Sequence, residues 1–340
     1  MNRLLLLTNV LLLFIHASCE EETCVVEQEK KEGGSVVKTI NIGNDGTSLT
    51  PSSIIVIENF LPEDFIQTTF QNITNDQEWR TVIPDHQKKL EEFQQTKNKN
   101  SDDNDDESTK RLLKAVQMND GGFPGTRTDL TKDYEAALKA KIDTLDLESM
   151  LGLSNNLEKR WSSTDSFFGN VCYHPSSLGI SQRAPHTDFG LIDRKSATVA
   201  IVHYLNPTFQ GTGGTSFYKE KISQGSRFFY SDCKRLREKA KEMGLKPGTT
   251  TYMEAISCHC RINNVNCSSY IWYARKLPEA KYTNDSTSHY ELMLHVPYKF
   301  NTAVIYATQQ LHSAYIDDDT LGKLTCDAKE GRVTGNVFLV

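Results

Sequence analysis

The stretch NTAVIYATQQLHSAYI, residues 301 to 316, decides the fold. A β-branched and aromatic run, Thr302 to Ala307, is followed after a few polar residues by a second short run that opens on His312. Runs of this kind read as strands. The same pattern recurs outward from it as SFFGNVCYH, SATVAIVHYLN, GGTSFYKE and GRVTGNVFLV, all from about Ser166 onward. Further upstream the period changes. TDLTKDYEAALKAKIDTLDLESMLGL places Tyr134, Leu138, Ile142 and Leu145 at helical spacing, and SIIVIENFLPEDF reads as a buried strand, a turn at Pro62 and a helix start. Many short strands after a helical lead predict an α+β fold: a sandwich or jelly roll with helices packed on one sheet.

The chain of 340 residues can bury a full core. Its net charge of -6 and its lack of a Lys/Arg run argue against nucleic acid as a partner. Residues 1–19 have the layout of a secretory signal peptide, with an apolar run from Leu4 to Ile15 too short to span a bilayer; an uncleaved anchor is the alternative. The expected address is the secretory lumen or the outside of the cell, with no transmembrane segment after signal removal. Residues 20–50 read as a flexible leader and 51–165 as an α/β support region. Within that region a polar acidic insertion near 94–110 reads as disordered. Residues 166–340 form the strand-rich core, and 221–290 a long Cys-containing insertion in it, a disulfide-stapled lid.

Eight cysteines suit an oxidising compartment and disulfides of undetermined connectivity. Cys258, His259, Cys260 and Cys267 could instead hold zinc, although their spacing lacks paired C-x-x-C hooks. Sequons at Asn72, Asn266 and Asn284 are compatible with glycosylated surface loops.

The chemistry concentrates in four short stretches. APHTDFG, residues 184 to 190, puts His186 and Asp188 two positions apart, on one face if the backbone is extended. His312 comes from another strand. Two imidazoles and a carboxylate leave three positions open on an octahedral iron(II), enough for a bidentate acid and dioxygen. Arg332 and Thr334 then share one face of the last strand, and a guanidinium fork suits a carboxylate. Singly, each residue has a plainer reading: His312, His174 and His203 as core histidines, Arg332 in a surface ion pair, Tyr173 as a packed aromatic. The GTGG at 211–214 reads as a tight turn, because no phosphate-loop Lys or helix follows it.

With these stretches in this order, the core resembles the iron(II)/2-oxoglutarate-dependent oxygenases, whose fold is a double-stranded β-helix. The run from HTD through HYLN to GGTSFY looks closest to a branch known only as a domain of unknown function. The resemblance implies that His186, Asp188 and His312 bind Fe(2+) and that Arg332 and Thr334 take the distal carboxylate of 2-oxoglutarate; Tyr173, from its place on the first strand, is a further candidate to reach the co-substrate. Lys323, nearer to His312, is the rival for Arg332, but it falls in an expected turn. The resemblance further implies a hydroxylase that uses dioxygen, with ascorbate supporting activity, on an unknown substrate, either a small molecule or a secretory-pathway protein. The other readings are a jelly-roll binding module with a degenerate metal site and a cupin-type metalloenzyme with no need of Arg332.

Overall fold

Period-2 runs of β-branched and aromatic residues build the protein mainly from antiparallel strands. The computed structural model describes residues 15–20, 23–32, 34–42, 53–81, 123–153, 166–175, 185–188, 199–209, 211–220, 226, 281–287 and 290–339. Its strands are β1 Ile15–Glu20, β2 Thr23–Glu32, β3 Ser35–Ile42, β4 Ser53–Glu58, β5 Arg80–Thr81, β6 Gly125–Asp129, β7 Phe167–Val171, β8 Val199–Tyr204, β9 Gly214–Glu220, β10 Tyr290–Pro297, β11 Thr302–Ala307, β12 His312–Tyr315 and β13 Arg332–Leu339. The helices are α1 Glu63–Asp76, α2 Lys132–Asp143, α3 Leu147–Leu151 and α4 Asp318–Leu321.

Ten strands form an open sheet in the order β1-β2-β3-β4-β11-β8-β13-β7-β6-β5, and three form a second sheet, β10-β9-β12. An antiparallel bridge between His186 and His312 adds residues 185–188 beside β12. From β7 onward the chain passes back and forth between the sheets. It visits the large sheet at β7, β8, β11 and β13, and the small one at His186, β9, β10 and β12. The class is therefore α+β, mostly antiparallel, with an open large sheet.

The alternation along the central strands gives each face of the large sheet its own core. Ile55, Ile57, Val199, Ile201, Ile305, Val333 and Val337 point to one side, where they meet Ile66, Phe70 and Ile73 of α1 and Tyr134, Leu138 and Ile142 of α2. At about 1.5–3 kcal/mol for each large apolar side chain buried, this layer is a principal source of stability. α1 begins after Pro62 with Glu63 and Asp64 in its first turn, where acidic groups suit the helix dipole. α2 is capped by Thr131 Oγ1, which accepts from Tyr134 N at 3.3 Å. On the other face Ile54, Val56, Ala200, Tyr204, Val304 and Tyr306 meet Phe217 and Val296 of the small sheet.

A polar pin crosses the helical side. His203 Nε2 lies 3.0 Å from Asn301 Oδ1 and His203 Nδ1 lies 2.9 Å from Tyr134 Oη. Because Asn301 Oδ1 accepts, the proton is assigned to Nε2, and Tyr134 donates to Nδ1. Asn301 also donates to Leu61 O at 2.7 Å and holds a left-handed φ of 57°, fixing the turn between β10 and β11. His203 is thus a core histidine, held by side chains rather than by backbone. His174, expected in the core, is exposed instead, because it lies just past the end of β7.

The flexible leader expected at 20–50 is also corrected. β2 and β3 continue the large sheet, and β3 buries Val37, Ile40 and Ile42 while pairing with β4 from Val36–Glu58 to Asn41–Ser53. Three buried apolar residues suffice to anchor a strand whose other positions, Val36 apart, are polar. β1 overlaps the end of the segment read as a signal peptide. The acidic insertion at 94–110, most of the insertion at 221–290 with Cys233, Cys258, His259, Cys260 and Cys267, and the sequon at Asn266 lie outside the described residues. Asn72 is exposed on α1. Among the described residues a disulfide, Cys172–Cys326, ties the end of β7 to the loop before β13. No helix among the described residues is long and apolar enough to cross a membrane.

Candidate metal centre

The bridge between the two histidines builds the site. His186 N donates to His312 O and His312 N to His186 O, each at 2.9 Å, and Asp188 N donates to Thr308 O at 3.0 Å. These bonds lock the His-x-Asp segment in register with the start of β12. Side chains at i and i+2 then point the same way, so His186 and Asp188 meet His312. The ligand atoms of all three lie within 4.8 Å of one another. Asp188 Oδ1 is 3.9 Å from His186 Nε2, and Asp188 Oδ2 is 3.3 Å from His312 Nε2.

His312 Nδ1 lies 3.0 Å from Gln310 O. A carbonyl can only accept, so Nδ1 carries a proton and Nε2 faces Asp188 and His186, donating to Asp188 when it is protonated and offering a lone pair when it is not. The neutral form, with its lone pair on Nε2, is the tautomer a metal requires, selected by the outer hydrogen bond on Nδ1. Asp188 and His312 are both buried. Burial alone would raise the Asp188 pKa, but the charge and hydrogen bond of His312, then His186, bring it below the ordinary carboxylate value. Burial pulls His312 down, and Asp188 reverses this and raises it. Two imidazoles and one ionised carboxylate on one side of a point form a facial donor set for a divalent transition metal.

Arg332 opens β13 and is 3 % exposed. Its Nη2 donates to Gly214 O at 2.6 Å, its guanidinium lies 5.7 Å from the Tyr204 ring centre, and its buried Nε has no hydrogen-bond partner. No carboxylate pairs with it among the described residues. Arg332 and Thr334 alternate with Val333 and Val337, which face the helices, so both stand on the side of the small sheet. The Thr334 hydroxyl makes one long bond, 3.4 Å to Gly169 O, and accepts from Asn336 Nδ2 at 3.0 Å. Along β9, Gly214 is three residues from Phe217, the cross-strand partner of His312. Three strand residues span about 10 Å, which sets the scale between the guanidinium and the ligand set.

The other expected residues sit elsewhere. Lys323 follows α4 on the surface and donates to Asp319 at 2.7 Å. Tyr173 packs beside Val171, Tyr282 and Ile316 in a satellite cluster, and its carbonyl accepts from Tyr282 Oη at 2.9 Å. Two tyrosines on the inner face were not singled out from the sequence. Tyr306 donates to Asp188 Oδ2 at 3.3 Å, and Tyr204 lies 2.9 Å from Thr215 Oγ1. Their only signal was an aromatic at an inward position of a β-run, which core packing already explains.

The profile of a family of unknown function (DUF6445) matches residues 107–267 and 268–339. No curated protein and no solved structure matches the chain.

Proposed function

The chain thus belongs to a family of unknown function, and from its own residues we propose that it is an iron(II)- and 2-oxoglutarate-dependent oxygenase, a hydroxylase acting in the secretory pathway. The single observation that carries the reading is a His186–Asp188–His312 cluster, with Asp188 and His312 buried and His186 half-buried, accompanied, on the same side of the large sheet, by a buried arginine with no carboxylate partner among the described residues. A metal site alone would need no such arginine. In this reading the alternation of strands between the two sheets is that of a double-stranded β-helix, with the site in its mouth.

The donor set suits iron(II), and the orphaned Arg332 Nε suits a carboxylate brought by a ligand. Bound iron(II), with 2-oxoglutarate and dioxygen, supplies the oxidising chemistry that yields succinate, carbon dioxide and a hydroxylated C–H bond. The chain's own residues hold and orient. His186, Asp188 and His312 grip the metal on one side and leave the opposite side open. Arg332 turns its fork to the far carboxylate of the diacid, Thr334 offers it a hydroxyl, and Tyr204, Tyr306 and Phe217 keep the intervening space apolar and poor in water. Burying that carboxylate without a partner would cost several kcal/mol, which is what Arg332 prevents.

The test is metal analysis of protein purified without chelator, followed by succinate release with iron(II), ascorbate and 2-oxoglutarate. Stoichiometric metal with succinate release is expected. Metal without succinate release or 2-oxoglutarate binding would favour a metal-binding jelly roll, and absence of metal affinity would refute both.

A further inference from the structure

One buried side chain beside the ligand set contributes its ring to the oxygenase reading and leaves its hydroxyl without a task there. Tyr306 lies on β11 between Ile54 of β4 and Ala200 of β8, in the interior of the large sheet. Its hydroxyl donates to Asp188 Oδ2 at 3.3 Å, the same oxygen that lies 3.3 Å from His312 Nε2. Its ring centre is 4.6 Å from that of His312 and 5.2 Å from that of Phe217, so neighbours on both sides stop it from swinging away. A carboxylate oxygen can only accept, so the phenol O–H is the donor of this bond.

A carboxylate beside a metal can bind through one oxygen or through both. Binding through both uses an additional coordination position, and the facial set has only three to leave for ligands. A hydrogen bond to one oxygen occupies a lone pair there and fixes the rotation of the group. We propose that Tyr306 is a positioning residue that holds the Asp188 carboxylate in one rotation and keeps it a one-oxygen ligand. The proposal rests on the metal reading of His186, Asp188 and His312, and Tyr306 itself is not a ligand in it.

The experiment compares parent protein with Tyr306→Phe, which keeps every ring contact and removes only the donor. Manganese(II) is titrated into each under anaerobic conditions, and the cobalt(II) forms are compared by visible absorption. Phe at this position should weaken manganese binding by about 10- to 100-fold, the usual effect of losing an outer partner of a ligand. It should also change the shape of the cobalt band, which a purely structural role would not do. The thermal midpoint of the metal-free proteins reports folding. If Tyr306→Phe does not fold, Tyr306→3-fluorotyrosine replaces it as the readout. Its fluorine resonance should move on zinc(II) addition, while a label at Tyr134 on the helical side stays still. Equal manganese affinity with an unchanged cobalt band, or an unmoved fluorine resonance, overturns the proposal and leaves the metal reading intact. Failure of the parent to bind manganese overturns both.

Discussion

Replacing Arg332 by Met should have opposite consequences for the fold and for the ligand. In the folded protein Arg332 is a buried cation whose one strong bond goes to the Gly214 carbonyl, with its Nε unpartnered. Substituting an apolar side chain of similar volume for a buried charge is neutral or stabilising by about 1–4 kcal/mol. Loss of the donor to Gly214 O offsets this by about 1–3 kcal/mol. Arg332→Met should therefore change the stability of the ligand-free protein by less than about 3 kcal/mol. The diacid behaves differently. Leaving its far carboxylate buried without a partner costs about 3–5 kcal/mol, so its dissociation constant should rise by a factor between about a hundred and a few thousand. Urea unfolding of the manganese-loaded protein measures both effects. At a hundred times the parent's dissociation constant, 2-oxoglutarate should add about 2.7 kcal/mol to the parent and no more than about 0.4 kcal/mol to the variant. The reasoning fails if ligand-free Arg332→Met loses 3 kcal/mol or more while 2-oxoglutarate still stabilises it, because Arg332 would then be a structural anchor.

Three further outcomes follow from the core. Burial depresses the His203 pKa from 6.5 to about 4, partly opposed by its bond to Asn301. The unfolded chain takes up this proton near pH 6.5 and the folded one only near pH 4, so the contribution is complete above pH 6.5 and about 3 kcal/mol is lost by pH 4. Denaturant titrations across that range should show this slope flattened in His203→Gln, and an equal slope in both proteins would remove His203 as its source. In Gly335→Ala the new methyl would sit 2.3 Å from the hydroxyl of the buried Tyr134. It should cost about 1–3 kcal/mol, read as a lower thermal midpoint, and parent-like melting would mean that α2 yields. Cys172→Ala opens a disulfide spanning 154 residues and should cost about 2–5 kcal/mol in urea; a midpoint unchanged from the oxidised parent would show that the bond constrains little.

The site was more legible than the sheets. His186 and Asp188 share a face by simple alternation, and Arg332 and Thr334 do so again, which requires only that each stretch be extended. The order of strands is set by packing between residues far apart in the chain, which leaves no local mark. β2 and β3 were missed because EQEKKE and KTIN read as solvated chain, and their stability comes from β4 rather than from their own composition. Tyr306 was missed because an aromatic at an inward position of a strand satisfies packing whether or not its hydroxyl has work. Cys172–Cys326 could not be paired in advance, since eight cysteines allow too many connectivities.

The mutual backbone bonds between His186 and His312 join points separated by more than a hundred residues of chain. Closing such a loop has a large entropic cost that neighbouring strands must already have met, so contacts of this separation form late and slowly. Until β12 has found β9 and the 185–188 segment has found β12, the imidazoles and the carboxylate are scattered along the chain. On the proposed function, a nascent polypeptide therefore offers a metal ion no assembled binding site, and metal would load onto the finished fold.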